Sequence, residues 1–154
     1  MTSSGTHDFN DTNTLDFKHK NSLDIILTNA RSLLPKLSSL VENMQELDCE
    51  IAIATETWFQ DGKQLDRALT DIESGYGYAV VKRNRRGARG GGVAIVYKRG
   101  DIVMQEIKTC KDYVVVAAIA RRTGQRRKIA TIAVYIPPNY TAEDNKNCLN
   151  TSMD

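Results

Sequence analysis

No apolar stretch in this chain approaches the ~20 residues that a membrane-spanning helix needs. Its longest apolar runs, such as Tyr113 to Ala120, have the length of a strand. Cysteine is scarce, and Cys49, Cys110 and Cys148 stand far apart with no CxxC or Cys/His spacing. An odd, scattered set argues against a disulfide framework and against a zinc site, and reads as reduced thiols. Residues 1–22 lack the apolar core of a signal peptide, and Asp8, Asp11 and Asp16 make them too acidic for an organelle transit peptide. An intracellular location is expected. Net charge is also small: +2 does not by itself imply a nucleic-acid partner, so any electrostatic argument rests on where the charges lie. Internal repeats and low-complexity segments are absent as well.

What is present reads as one ordinary globular domain. Of the 154 residues, 41% are hydrophobic and 26% charged. Residues 1–22 are rich in Thr, Ser, Asn and Asp; they cannot bury enough surface to offset their ordering entropy and are expected to be disordered. The apolar run Leu23–Leu27 predicts a strand. Ser32 is the expected N-cap of a helix whose stripe is Leu33, Leu37, Leu40, Val41, Met44 and Leu47, with Pro35 in its first turn. Ile51–Ala54 predicts a second strand, which makes a β–α–β unit. A short helix is expected over Gln64–Ile72. Strands are then expected over Tyr78–Lys82, Gly92–Lys98, Ile102–Ile107, Tyr113–Arg121 and Ile129–Tyr135, separated by turn-forming or charged segments. The class is α+β.

Three polar residues stand where a sheet end would present them to a cleft: Asn29, Glu56 and Tyr135, each closing a predicted strand. Alone, an Asn or Glu in that position is more often a turn former than a functional group. Lys82–Arg89 places five positive charges in eight residues between two strands. It is either a solvated hairpin tip or a loop that straddles a DNA backbone, and it has no aromatic residue for base stacking. Arg121, Arg122, Arg126, Arg127 and Lys128 form a second basic turn, read as solvated.

In order along the chain, four strings resemble the motifs of one family. Leu27-Thr28-Asn29-Ala30-Arg31-Ser32-Leu33 is similar to an opening motif, an Asn at a strand end followed by Arg-Ser-Leu and a helix. Ala54-Thr55-Glu56-Thr57-Trp58 is similar to a Glu-containing second motif. Ser74-Gly75-Tyr76, with Arg89-Gly90-Gly91-Gly92-Val93-Ala94-Ile95, is similar to a third, and Val134-Tyr135-Ile136-Pro137-Pro138 to a fourth. Each is weak alone; together, over Leu23 to Asn139, they resemble the endonuclease domain of non-LTR retrotransposons, within the endonuclease/exonuclease/phosphatase superfamily.

The resemblance implies a deoxyribonuclease-I-like, two-layer β-sandwich flanked by helices, of which this chain supplies roughly the first half. It implies a partial domain over residues 23–139 and a polar tail over 140–154. It also implies a magnesium-dependent DNA endonuclease, manganese being a substitute, acting in the nucleus on chromosomal DNA, with a reverse transcriptase domain downstream in a full-length parent. Glu56 would hold the cation, Asn29 would share the site, and Tyr135 would hydrogen-bond the phosphate. Arg31, where the DNA-repair branch commonly has an acidic residue, would contact a phosphate or stand on the surface. Arg83, Arg85, Arg86 and Arg89 would contact the DNA backbone. A superfamily phosphatase is the less fitting relative, given the wording of the second and third motifs.

Two of the family's motifs, Gly-Asp-x-Asn and a terminal Ser-Asp-His, do not occur in the sequence. They would supply the water-orienting carboxylate and the histidine, and His7 and His19 both stand before the first strand. A truncated, inactive copy with at most weak DNA or partner binding is the alternative expectation. A single sheet left without its partner, exposing an apolar face, is expected with it.

Overall fold

The computed structural model describes residues 22–85, 90–109 and 114–137, with 141 and 143 besides. The leader 1–21, most of the tail beyond 137, Arg86, Arg89, Tyr113, Cys110 and Cys148 lie outside the described residues. The elements run β1 (Ile25–Asn29), α1 (Leu37–Glu46), β2 (Ile51–Thr55), α2 (Lys63–Tyr76), β3 (Tyr78–Arg83), β4 (Val93–Lys98), β5 (Ile102–Thr109), β6 (Val114–Arg122) and β7 (Lys128–Tyr135). They form a four-stranded sheet ordered β1-β2-β4-β3 and a three-stranded sheet ordered β5-β6-β7. β1 and β2 pair in parallel, as a β–α–β unit requires, and every other pairing is antiparallel.

Alternation in the central strands sets the layers. In β2 and β4 the larger side chains Ile51, Ile53, Val93 and Ile95 face the second sheet, where they meet Val114, Val116, Ala118, Ala120 and Ala133. The intervening Ala52, Ala54, Ala94 and Val96 face the helices. Small side chains on that face let α1 and α2 come close, and Leu37, Val41, Met44, Leu65 and Ile72 fill the space. The result is helices on one side of a sandwich. The expected single sheet without a partner is therefore corrected: the described residues contribute strands to both layers, and the inner faces bury each other. The layers do not match in width at the β1 edge, where Leu27 is 75% exposed on the inter-sheet face.

Two local expectations also change. Ser32 is not an N-cap: Arg31 and Ser32 sit at φ +41° and +78°, a left-handed turn, and a 3-10 turn over Leu34–Lys36 carrying Pro35 precedes α1. The reason is tertiary. The amides of Ser32 and Leu33 donate to the carbonyls of Glu56 and Thr57, so this backbone pairs with the segment after β2 instead of starting a helix. α2 continues past Ile72 through Gly75 to Tyr76, and ends at Gly77, whose φ of +75° is the left-handed C-cap that favours glycine.

At one end of the sandwich a buried ion pair ties the sheets together. Arg122, closing β6, bonds the carboxylate of Glu50, which is 4% exposed just before β2. Glu50 Oε2 also accepts from the Asp24 amide at 3.2 Å, and Arg122 donates to the Ser22 carbonyl at 2.8 Å. Among the described residues no helix is long and apolar enough to cross a membrane.

Candidate active site

At the opposite end of the sandwich, parallel pairing brings the carboxyl ends of β1 and β2 side by side, with Asn29 opposite Thr55. Antiparallel pairing brings the start of β4 there too, Val93 opposite Thr55. β7 of the other sheet ends there at Tyr135, whose ring lies against the segment leading into β4. Asn29, Glu56 and Tyr135 therefore share one end of the sandwich. Asn29 follows Ile25 and Leu27 on the inter-sheet face and is exposed.

The chain leaving β2 is unusual. Glu56 and Trp58 both hold left-handed backbone, φ +56° and +53°, which costs a non-glycine residue about 1–2 kcal/mol. Surrounding hydrogen bonds enforce it. The Glu56 and Thr57 carbonyls accept from Ser32 and Leu33, and the Trp58 amide donates to the Gly91 carbonyl at 2.9 Å. Three consecutive glycines make this approach possible. A β-carbon on Gly91 would stand 2.7 Å from the Tyr135 ring and 2.8 Å from Arg85 Cδ, one on Gly92 would collide with Thr57 Oγ1, and Gly90 faces the Trp58 indole. Gly91 and Gly92 are thus required by what packs against them, and Gly90 by its φ of +90°.

Glu56 is the focus of the arrangement. Its Oε2 accepts from the Trp58 indole N–H at 2.6 Å and from the Gly91 amide at 3.1 Å. Partial burial pushes its carboxyl up, but hydrogen bonds from Trp58, Gly91 and Tyr135, with the Arg85 guanidinium nearby, outweigh that and hold it below the ordinary glutamate range. The carboxylate is ionised at neutral pH. Burial, and then the bond to Glu56, push the Tyr135 phenol up, so it remains a neutral donor.

The basic residues divide. Arg85 is half-buried against the site, its charge felt by both Glu56 and Tyr135. Arg83 is half-buried at the end of β3, opposite Val93. Arg31 is exposed on the turn after β1. Arg86 and Arg89 lie outside the described residues. Lys82 and Asn84 both bond the exposed Asp61 Oδ1, at 3.0 and 2.7 Å.

The endonuclease domain of TRAS1, a telomere-specific non-LTR retrotransposon, superposes on 84% of this chain with a TM-score of 0.59 at 15% identity. This is the deoxyribonuclease-I-like fold. The catalytic domain of human Nocturnin matches 85% of the chain with a TM-score of 0.56 at 8% identity. The AP endonuclease LMAP from Leishmania major matches 85% with a TM-score of 0.55 at 15% identity. The chain spans only about half of these deoxyribonuclease-I-like proteins: 52%, 56% and 46% of their respective lengths. No protein-family model and no curated protein matches the sequence.

Among the described residues there is no group of three or more His, Cys, Asp and Glu side chains that could hold a metal ion. One ionised carboxylate, Glu56, at the same sheet end as the exposed Asn29, is the kind of sparse donor set that suits magnesium, which keeps several waters and takes few protein ligands. Trp58 and the Gly91 amide, the donors 2.6 and 3.1 Å from Glu56 Oε2, carry no role in the sequence reading, although both residues stand within the second and third motifs.

Proposed function

We propose that this site belongs to a divalent-metal-dependent DNA endonuclease of retrotransposon type, acting by phosphodiester hydrolysis. The observation that supports it is the ionised Glu56 carboxylate, held by Trp58 and Gly91 beside neutral Tyr135 and the Arg85 guanidinium, within a deoxyribonuclease-I-like fold. Glu56 and Asn29 would hold magnesium or manganese. When bound, the cation polarises a phosphoryl oxygen and offsets charge on the leaving 3′ oxygen. Tyr135 donates a hydrogen bond to the phosphate without adding negative charge beside it. Arg85, with Arg31, Arg83, Arg86 and Arg89, grips the DNA backbone, and each phosphate neutralised adds ~0.9 to the salt slope of binding. The setting of such an enzyme is the nucleus, in a parent that also carries a reverse transcriptase domain.

A second reading concerns these 154 residues taken alone. Neither Gly-Asp-x-Asn nor Ser-Asp-His occurs in them, and among the described residues there is no histidine to activate water. By itself the chain would be an inactive half-site with at most weak DNA or partner binding. A supercoiled-plasmid nicking assay with magnesium tests both readings, using the chain and its Glu56→Gln variant. Nicking lost in the variant overturns the half-site reading. Equal, background-level nicking by both supports it. Restoration of Glu56-dependent nicking by a chain extended to include the two missing motifs supports the endonuclease reading; failure of that extended chain to nick overturns it.

A further inference from the structure

We infer that Trp58 is a positioning residue for Glu56, its indole N–H fixing the plane in which the carboxylate meets a divalent cation. This rests on the metal role proposed for Glu56. The geometry supports more than packing. Trp58 is 39% exposed, so burial of its ring is not what decides its place. Its backbone is strained at φ +53°, and so is that of Glu56 at +56°, yet the segment holds this shape and points the indole nitrogen at Glu56 Oε2, 2.6 Å away. A second donor, the Gly91 amide, reaches the same oxygen at 3.1 Å. Two donors converging on one oxygen from different parts of the chain fix the carboxylate's rotation, which a single bond would leave free. Gly90 lies alongside the pair: a β-carbon there would make ordinary contacts, 3.4 Å from the indole nitrogen and 3.9 Å from Oε2, and it is its φ of +90° that favours glycine.

A carboxylate held this way meets a cation without first giving up rotational freedom. Outer partners of a metal ligand typically contribute about 10- to 100-fold to metal affinity. The indole suits this role because it donates and cannot accept, so it cannot turn round and compete with Glu56 for the metal.

The chain's single tryptophan makes the test direct. Manganese is titrated into the full chain while Trp58 emission is followed, and calorimetry gives affinities for the wild type, Glu56→Gln, Trp58→Phe and Trp58→His. Circular dichroism and thermal melts establish that each variant is folded. The expected result is saturable quenching in the wild type that disappears in Glu56→Gln. Affinity falls about tenfold in Trp58→Phe, which keeps a ring without the donor. It is partly recovered in Trp58→His, which restores a ring N–H and tolerates left-handed backbone better. Wild-type affinity in Trp58→Phe overturns the inference and leaves the role of Glu56 standing. Equal weakening in folded Trp58→Phe and Trp58→His also overturns it, because the ring and not its donor would then matter. Manganese binding that does not distinguish wild type from Glu56→Gln overturns the metal role of Glu56 itself, and this inference with it.

Discussion

Gly91 and Gly77 share a φ of +75°, yet their surroundings differ completely, so alanine at each separates backbone strain from crowding. At Gly77, which caps α2, a β-carbon meets nothing within 4 Å. Gly77→Ala therefore bears only the left-handed cost of about 1–2 kcal/mol, offset by about 0.4–1 kcal/mol from the stiffer unfolded chain. Gly91→Ala bears the same two terms. In addition its β-carbon would stand 2.7 Å from Tyr135 Cε1, 3.1 Å from Cδ1 and 2.8 Å from Arg85 Cδ. The arginine methylene can swing aside. The tyrosine ring cannot do so freely, because it packs against the inter-sheet core. Overpacking of that kind costs about 1–3 kcal/mol. Gly91→Ala should thus be less stable than Gly77→Ala by about 1–3 kcal/mol, or roughly 3–9 °C in melting midpoint for a domain of this size. Urea unfolding followed by far-ultraviolet circular dichroism measures the difference. Equal losses in the two variants would refute the account given for the glycine run: the left-handed backbone alone would then explain it, and the approach of Tyr135 would be irrelevant.

Three further outcomes follow from the geometry. Glu50→Ala removes the carboxylate that bonds part-buried Arg122 at the far end of the sandwich, and should cost about 1.5–3 kcal/mol in urea unfolding, the worth of a charged hydrogen bond; a loss under half of that would make the clamp ornamental. Burial holds the Cys49 thiol above its ordinary value of 9.0, so the native state retains a proton that the unfolded chain releases. Stability should fall as pH rises from the unfolded thiol's range toward the folded one, and Cys49→Ala should flatten that alkaline slope; an unchanged slope counts against the assignment. Arg85→Ala should lower the salt slope of duplex DNA binding by about 0.9, read by fluorescence anisotropy over a salt series, and an unaltered slope would remove Arg85 from the phosphate contacts.

Much of the architecture was legible in residue order. Ile51-Ala52-Ile53-Ala54 announced a strand, and in the structure its alternation sets the layering: isoleucines to the second sheet, alanines to the helices. The stripe Leu33, Leu37, Leu40, Val41, Met44 and Leu47 announced a helix; Leu37, Val41 and Met44 are its buried part, while Leu47, just past the end of α1, is 66% exposed. Where the reading departed from the structure, the competing force was non-local. Ser32 has the chemistry of an N-cap, but its amide is taken by the Glu56 carbonyl, and no local pattern reports a partner 24 positions away. The expected lone sheet failed for a similar reason. β5, β6 and β7 were each legible as strands, but which sheet a strand joins depends on which inner face its side chains bury.

The candidate site divides along the same line. Sequence alone determined which residues could do chemistry and that they would sit at strand ends, because the periodicity of a strand and the chemistry of Asn29, Glu56 and Tyr135 are properties of the chain itself. Only the tertiary structure decided that those ends coincide, that Trp58 and the Gly91 amide both donate to Glu56 Oε2, and that Lys82 bonds Asp61 while Arg85 turns to the site. Hydrogen bonds and crowding act over a few ångströms, and the groups that meet here are 33 or more positions apart from β2 to β4, as the bond from Trp58 to Gly91 shows. Distance along the chain carries no record of that meeting; the parallel pairing of β1 with β2 and the antiparallel pairing of β2 with β4 create it.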